Sequence, residues 1–236
     1  MIHLSTRPTA VLCCALEEEY QGILHSFPGA QALEDPYDLH VSLLQDGASC
    51  LLILCSGVGR RRAQDTLHLL VQNVDDVRMV FSCGIAGILD ETHGVGDVIV
   101  SQEVWSHSGG QIRRMGECPA PPPSVQKALR EQNAAPMWQG RPAALDFGAV
   151  LTSDQPVADQ SLARTLYRKT GALCVEMEAA GVASLCRERG IPFLSVKIMS
   201  DYADQSALIS MLRNYKQLSS NLGIFLHSLW KGMTAL

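Results

Sequence analysis

The sequence predicts a single α/β domain that is built around one largely buried sheet. Short apolar runs alternate with longer segments in which apolar residues recur every three or four positions, the pattern of strands followed by helices. The 236 residues, 47% of them hydrophobic and 18% charged, suffice for one large domain with a substantial core. The chain shows no internal repeat and no linker, so we assign residues 1–236 to one domain.

Seven apolar runs are predicted to form the strands. They are short, rich in Val, Leu and Ile, and end at turn residues or acidic residues. In chain order they are Ala10–Ala15, Val41–Leu44, Leu51–Cys55, Val77–Ser82, Val98–Val100, Phe147–Thr152 and Phe193–Met199. Because these runs are apolar almost throughout, we expect both faces of the sheet to be covered.

Four segments with helical spacing follow these runs. The first begins at Glu17–Glu19, and the others are Arg60–Val71, Glu176–Arg189 and Ser206–Trp230. Gly190 and Pro192 provide the expected stop signals after the third segment. Cys118–Ser124 contains four prolines and is predicted to be a surface loop.

Charge and hydropathy exclude two classes of partner. The net charge of −5 and a pI near 5.8 give no broad positive field for nucleic acid. No segment approaches the roughly 18 apolar residues that a membrane-spanning helix needs. The apolar run near the N-terminus leads at once into Glu17–Glu19, which makes a poor signal peptide, so we expect the protein in the cytoplasm.

The cysteines predict neither disulfides nor a metal centre. Five of the eight lie in Val/Leu/Ile-rich runs, where a reduced thiol packs as a small hydrophobic group: Cys13, Cys14, Cys50, Cys55 and Cys83. No Cys-x-x-Cys pair is present, and the seven histidines have no metal-ligand spacing. We therefore expect no metal and no cofactor.

Side chains that could carry chemistry cluster where predicted strands end. They are Glu17–Glu19, Ser56–Gly59, the glycine-bearing turn Gly84–Gly87 and Ser200-Asp201, together with Glu176-Met177-Glu178 at a predicted helix start. Ligands of open α/β sheets bind at the carboxyl ends of the strands. Taken alone, these residues predict a carboxylate-lined pocket.

Each of these features also has a structural explanation. Glutamates at a helix start are favoured by the helix dipole, and strand-to-helix turns need glycine. Asp201 could serve as a helix N-cap, and Glu176 could serve structure as the first acidic residue of its helix. Spacing alone leaves both interpretations open.

Six motifs together resemble one family of enzymes. In chain order they are Ala15–Glu19 (ALEEE), Ser56–Gly59 (SGVG), Gly84–Gly87 (GIAG), Val95–Ser101 (VGDVIVS), Cys174–Ala179 (CVEMEA) and Met199–Gln205 (MSDYADQ). They are similar to the motifs of 5′-methylthioadenosine/S-adenosylhomocysteine nucleosidases, within the nucleoside phosphorylase/nucleosidase superfamily. The resemblance covers nearly the whole chain and is weakest between about Ser106 and Gly148.

The resemblance implies a three-layer fold, with a mixed sheet flanked by helices, and an N-ribosyl hydrolase that releases a purine. Cleavage of an N-ribosidic bond builds positive charge on the sugar and negative charge on the base. The resemblance assigns Asp201 as the acid at purine N7, a role that requires a raised pKa. It assigns Glu19 to the attacking water, as in inverting glycosidases, and Glu178 to the ribose hydroxyls.

The other expected binding residues follow from the same resemblance. Met177 is expected to pack on the sugar, Val157 to meet the base through its backbone, and Val58 and Leu16 to line the apolar end. Further candidates are Glu176, Gly84, Ala86 and Lys197.

Three positions depart from the family pattern. Ile85 stands where a serine is usual, Lys197 where an arginine is usual, and Pro156 where an aromatic residue usually stacks on adenine. A divergent nucleosidase that acts on a bulkier 5′-substituted nucleoside is therefore one interpretation. Enzymes that remove adenine from adenosylhopane or hydrolyse futalosine belong to the same superfamily.

Two alternatives to hydrolysis remain: a phosphorylase and a catalytically silent nucleoside-binding protein. The carboxylates of Glu17–Glu19 would repel a bound phosphate, and the side chain of Ile85 offers it no hydrogen bond. The arginines at 60–62 are the main argument for a phosphorylase, because one of them could reach a phosphate. Retention of Glu19, Glu178 and Asp201 argues against a silent binder.

The expected partners are a small nucleoside and further copies of the chain. Members of the superfamily resemble one another in forming homo-oligomers, so we expect at least a homodimer. Leu208, Met211 and Leu212 have helical spacing just after Asp201, which suits either a subunit contact or ordinary core packing.

Overall fold

A mixed sheet forms the centre of the molecule, in the computed structural model that describes residues 7–34, 39–132 and 137–233. The strands are β1 (Thr9–Cys14), β2 (Gln31–Ala32), β3 (His40–Asp46), β4 (Ser49–Cys55), β5 (Val77–Ile88), β6 (Val98–Ser101), β7 (Val104–Ser108), β8 (Gln111–Arg114), β9 (Met137–Trp138), β10 (Arg141–Pro142), β11 (Leu145–Phe147), β12 (Val150–Ser153), β13 (Cys174–Glu176) and β14 (Phe193–Asp201). The helices are α1 (Glu17–Leu24), α2 (Arg60–Val71), α3 (Pro123–Glu131), α4 (Gln160–Thr170), α5 (Ala179–Arg189) and α6 (Ala207–Gly232).

Within the described residues, twelve of the strands form one sheet and β9 pairs with β10 in a separate hairpin. The main path runs β2-β3-β4-β1-β5-β13-β12-β7-β8, and β14 pairs with both β5 and β6. β1 lies parallel to β4 and β5, and β14 is also parallel to β5, whereas β13 is antiparallel to it. The long strand β5 therefore pairs with β1, β13 and β14. The C-terminal ends of β13 and β14 lie near the C-terminal half of β5.

The two faces of the sheet pack against different helices. Alternate residues of β1 point to opposite sides, with Leu12 in the core beneath α1, α3 and α6, and Val11 in the core beneath α2 and α5. Both cores are made of fully buried aliphatic and aromatic side chains. This arrangement of helices, sheet and helices confirms the predicted three-layer fold.

Helix α1 lies very close to α6 because both carry glycine at the contact. A Cβ atom on Gly22 would lie 2.5 Å from Ser219 Cβ, and one on Gly223 would lie 2.7 Å from the carbonyl oxygen of Gly22. These distances are shorter than any stable contact, so the glycines permit the approach.

Two predicted boundaries near the strand ends are wrong, and strand pairing explains both. The predicted turn Gly84–Gly87 is part of β5, because its backbone pairs with β14 from Lys197 to Asp201. The predicted start of a helix at Glu176 is also wrong, because Glu176 ends a strand and α5 begins at Ala179.

The predicted strand Phe147–Thr152 is divided into β11 and β12. β11 pairs with β6 and β12 pairs with β7 and β13, so the chain crosses between neighbouring parts of the sheet at this point. The predicted helix Arg60–Val71 is confirmed, and Gly190 ends α5 with φ 67°. The predicted loop Cys118–Ser124 ends at Pro122, because α3 begins with Pro123, and proline is tolerated in the first turn of a helix.

No helix in the described part of the chain is long and apolar enough to cross a membrane.

Candidate active site

A cavity of about 320 Å³ lies where β1, β5, β13 and β14 end. Four carboxylates from three segments line it: Glu19, Glu176, Glu178 and Asp201. Its other walls are mainly apolar, and no Lys, Arg or His side chain of the described residues contributes to them. Its position agrees with the rule that ligands of α/β sheets bind at the carboxyl ends of strands.

Glu19 is buried, and three backbone amides hold its carboxylate. Oε2 accepts hydrogen bonds from the amides of Ala15 and Leu16, both at 2.9 Å, and Oε1 accepts one from the amide of Ile85 at 2.8 Å. Burial raises the pKa of Glu19, and the three hydrogen bonds oppose this only in part. A Cβ atom on Gly84 would lie 2.6 Å from Oε1, so the absence of a side chain there makes room for the carboxylate.

Asp201 ends β14 and is also buried. Its Oδ2 lies 2.6 Å from Ser200 Oγ, which is 3.2 Å from the carbonyl oxygen of Ala86, and its Oδ1 accepts a hydrogen bond from the amide of Ala203 at 2.9 Å. Burial raises the pKa of Asp201, although the hydrogen bond from Ser200 acts in the opposite direction. The interpretation of Asp201 as a helix N-cap is wrong, because Ser206 occupies that position before α6.

Glu178 links the cavity to the glycine turn after β4. Its Oε1 accepts a hydrogen bond from the amide of Gly59 at 2.8 Å, and Oε2 accepts one from the amide of Met177 at 3.3 Å. Burial raises the pKa of Glu178, and repulsion from Glu176 raises it further. Its carboxyl group therefore holds a proton at a higher pH than an exposed glutamate does.

Glu176 and Lys197 form a buried ion pair behind the cavity wall. Lys197 Nζ lies 2.9 Å from Glu176 Oε2, and both side chains are at most 2% exposed. Lys197 also donates to Ser82 Oγ at 3.2 Å. Burial lowers the pKa of Lys197, but attraction to Glu176 and Glu178 outweighs it, so the ammonium group stays charged.

The remaining acceptor capacity of Glu176 is used within the protein. Its carboxylate accepts hydrogen bonds from Thr152 Oγ1 and from the amides of Glu178 and Ala179. Glu176 therefore fixes the turn between β13 and α5, which agrees with a structural role. It does so from the end of a strand and not from the start of a helix.

The structure brings most of the predicted site residues together. Those that line the cavity are Leu16, Glu19, Val58, Ala86, Val157, Glu176, Met177, Glu178 and Asp201. Lys197 and Gly84, expected among the substrate-binding residues, do not line it: Lys197 lies behind Glu176, and Gly84 lies under Glu19.

Three cavity residues lie outside every motif and every candidate named from the sequence: Gln155, Ala158 and Ala207. Ala15, Gly87, Val175 and Ser200 belong to those motifs but were assigned no binding role. Leu208 and Met211 belong to the first turns of α6, and Leu208 is 62% exposed, so ordinary core packing is the wrong interpretation for it. Their position after the Asp201 loop was the available signal.

A mixed sheet between helix layers, with a carboxylate-lined cavity at the strand ends, indicates an α/β enzyme that binds a small molecule. A model of the phosphorylase superfamily matches residues 9–229, and the chain belongs to that superfamily. Within it, the chain is similar to the 5′-methylthioadenosine/S-adenosylhomocysteine nucleosidase of Staphylococcus aureus, with 30% identity over 166 residues that cover 68% of this chain and 72% of the relative. The enzyme of the same name from Halalkalibacterium halodurans is 29% identical over 170 residues, which cover 68% and 71% of the two chains.

Solved structures show the same fold. The 5′-methylthioadenosine/S-adenosylhomocysteine nucleosidase of Helicobacter pylori gives a TM-score of 0.80 at 22% identity, over 95% of this chain and 98% of that chain. The futalosine hydrolase of the same organism gives a TM-score of 0.79 at 21% identity, over 95% and 97%.

Removal of one partner of the buried ion pair is expected to destabilise the protein strongly. Glu176→Gln should lower the free energy of unfolding by about 3–5 kcal/mol, because it leaves the charge of Lys197 buried without a counter-ion. Denaturant unfolding measures this change. The matched control is Asp65→Asn, which breaks the exposed pair with Arg61 and should cost less than about 1 kcal/mol. Equal stability of the two variants would contradict the importance of the buried pair.

Proposed function

We propose that the protein is an N-ribosyl hydrolase that releases a purine, adenine in the first instance, from a 5′-substituted ribonucleoside such as 5′-methylthioadenosine or a bulkier analogue. The observation that carries the proposal is that Glu19, Glu178 and Asp201 face one small cavity that no described basic side chain lines. The nucleosidases among the relatives support the same reaction class.

Asp201 is the acid that protonates the departing base. As the bond to the sugar breaks, negative charge builds on the purine, and a neutral carboxylic acid at N7 neutralises it. Burial favours the neutral form of Asp201, which is the form that has a proton to give. The amide of Ala203 fixes the orientation of the carboxyl group.

Glu19 is the base that orients and deprotonates the attacking water. Three backbone donors hold its carboxylate in one position, and burial makes it a stronger base than an exposed glutamate. An effective general base needs both fixed geometry and a pKa moved toward the working pH.

The sugar lies between these two groups in the proposed complex. Glu178, held by the amide of Gly59, binds the ribose hydroxyls, and Met177 packs on the ring. Val157 meets the base through its backbone, beside Pro156, which provides an apolar surface without an aromatic ring. Val58 and Leu16 line the end that takes the 5′ substituent.

Water is favoured over phosphate because, among the residues that the structure describes, no cationic side chain lines the cavity to bind a dianion. Two of the three arginines after Gly59 have partners outside the cavity, and Arg62 does not line it. Arg60 donates to Ser106 Oγ at 3.1 Å and to Ser108 Oγ at 3.3 Å and lies 3.4 Å from Asp154, and Arg61 pairs with Asp65. Buried carboxylates with raised pKa values also argue against a silent binder, since a protein that only binds a nucleoside has no need of an acid and a base.

We also propose that the protein is cytoplasmic and forms an oligomer. All eight cysteines are free thiols, and six of them are buried, which suits a reducing compartment.

Leu208, Ile209 and Leu212 are 57–64% exposed on α6 beside the cavity mouth, together with the exposed Val58. A second copy of the chain is the expected cover for this apolar surface.

Base release is expected to proceed at full rate in phosphate-free buffer and to yield free ribose or its 5′-substituted form. The reason is that Glu19 activates water and the cavity provides no cation for phosphate. Chromatography of the products of 5′-methylthioadenosine, S-adenosylhomocysteine and bulkier 5′-substituted adenosines measures this. Strict dependence on phosphate, with a ribose 1-phosphate product, would establish a phosphorylase instead.

Asp201→Asn is expected to lower kcat by about a hundredfold or more, because an amide cannot protonate N7. Unfolding midpoints establish that the fold persists. Asp204→Asn is the matched control, since Asp204 lies three residues away, does not line the cavity, and its side chain accepts hydrogen bonds from Ser206. An active Asp201→Asn enzyme with an unchanged melting temperature would remove Asp201 from the mechanism.

Ser200→Ala is expected to move the alkaline limb of the kcat/KM profile to higher pH. The hydrogen bond from Ser200 stabilises the ionised form of Asp201 and so lowers its pKa; its loss should raise that pKa. Activity needs the neutral acid, which is present below this pKa and lost above it. Ser195→Ala, buried on the same strand, is the control. A limb that stays in place or moves to lower pH would contradict the assignment.

Light scattering at micromolar concentration is expected to give at least a dimer. Leu212→Glu should shift the equilibrium toward monomer, because it places a charge in the apolar surface around Leu208. Ile224→Glu is the matched control, because it is similarly exposed on α6 but lies about three turns further along the helix. A monomeric wild-type chain would refute the proposed assembly.

A further inference from the structure

Three side chains of different chemistry converge outside the cavity, on the other side of the first turn of α1. They are Glu17 of α1, His40 of β3 and Cys55 of β4, and their carboxylate, imidazole and thiol atoms all lie within 4.8 Å of one another. Glu17 Oε2 is 2.9 Å from His40 Nδ1. None of the three lines the cavity described above.

We propose that these three side chains bind a divalent cation of the zinc class. Thiolate, imidazole and carboxylate are the ligands that zinc takes from proteins. Bonds of about 2.0–2.3 Å in a tetrahedral site place neighbouring ligand atoms about 3.3–3.6 Å apart. Glu17 Oε2 and His40 Nδ1 are 2.9 Å apart, and all three ligand atoms lie within 4.8 Å of one another, so modest side-chain rotations bring them to these separations.

The backbone holds the three ligands in a fixed relation. His40 and Cys55 are directly opposite each other in the antiparallel β3–β4 ladder, so their side chains leave the sheet on the same side. Glu17 reaches them from the first turn of α1, which follows β1, and β1 pairs with β4 at Cys14 and Cys55. Two of the ligands therefore come from paired strands, and the third comes from the helix that follows the strand next to them.

Neighbouring groups orient two of the ligands from outside. Gln21 Nε2 donates to Glu17 Oε1 at 2.8 Å, which leaves Oε2 toward His40. The ring of Tyr20 packs on the imidazole with centroids 4.1 Å apart. Outer contacts of this kind fix ligand orientation in metal sites.

The site has room for a solvent ligand. The side chains of Glu17 and His40 are 52% and 46% exposed, so a fourth position is open to water. Three protein ligands with one water is the coordination of an open zinc site. Sequence spacing gave no sign of this site because its ligands lie on three separate elements.

The test is a titration of the reduced, full-length protein with Co²⁺, a spectroscopic substitute for Zn²⁺. We expect one equivalent per chain, a thiolate-to-cobalt charge-transfer band, and loss of that band when Zn²⁺ is added. Mg²⁺, which prefers oxygen ligands, should not compete. Zn²⁺ should also raise the melting temperature, because it ties three elements of the native state together.

Cys55→Ser and His40→Gln should each abolish the band and weaken Co²⁺ binding at least tenfold. Cys118→Ser is the matched control, because Cys118 is another half-buried thiol, bonded to the carbonyl oxygen of Ala183 and far from this cluster in the sequence. His40 is exposed, so His40→Gln tests the proposal even if Cys55→Ser folds poorly. Absence of stoichiometric binding, or equal binding by wild type and His40→Gln, would overturn the proposal. The outcome does not depend on the hydrolase activity.

Discussion

The ion pair between Lys197 and Glu176 is the interaction on which the rest of the site depends. Four carboxylates share a cavity of about 320 Å³, and their mutual repulsion in a poorly solvated space would push them apart or neutralise them all. One buried ammonium group behind the wall compensates part of that charge. Glu176 pairs with Lys197 and accepts the hydrogen bonds of the β13–α5 turn, whereas the carboxyl group of Glu178 lines the cavity.

Strand β5 brings the two groups of the proposed reaction into range of each other. A Cβ atom on Gly84 would lie 2.6 Å from Glu19 Oε1, and one on Gly87 would lie 3.1 Å from Asp201 Oδ1. Both carboxylates thus lie against the bare backbone of one strand. The backbone of β5 therefore limits how closely the proposed base and the proposed acid can approach this strand.

The apolar runs and helical spacing predicted an α/β fold around a covered sheet, whereas the family resemblance implied the three layers and nine of the residues that line the cavity. Runs such as Phe193–Met199 are apolar throughout, which only a covered strand explains, and Arg60–Val71 has clear helical spacing and matches α2. The wrong predictions concern Gly84–Gly87 and Glu176, where pairing with distant strands overrides local preference. Spacing could not place Lys197 behind the wall either, because burial and partner depend on the packing of β14 against β5.

The anchoring of Glu19 has a consequence for how this enzyme can change over generations. All three of its donors are peptide N–H groups, one of them from Ile85. Any amino acid except proline offers that donor, so the identity of residue 85 can change without loss of this hydrogen bond to the carboxylate of Glu19. The side chain of residue 85 matters for selection only because it lines the cavity. The chain can therefore explore new substrate shapes at this position while the chemistry is inherited intact.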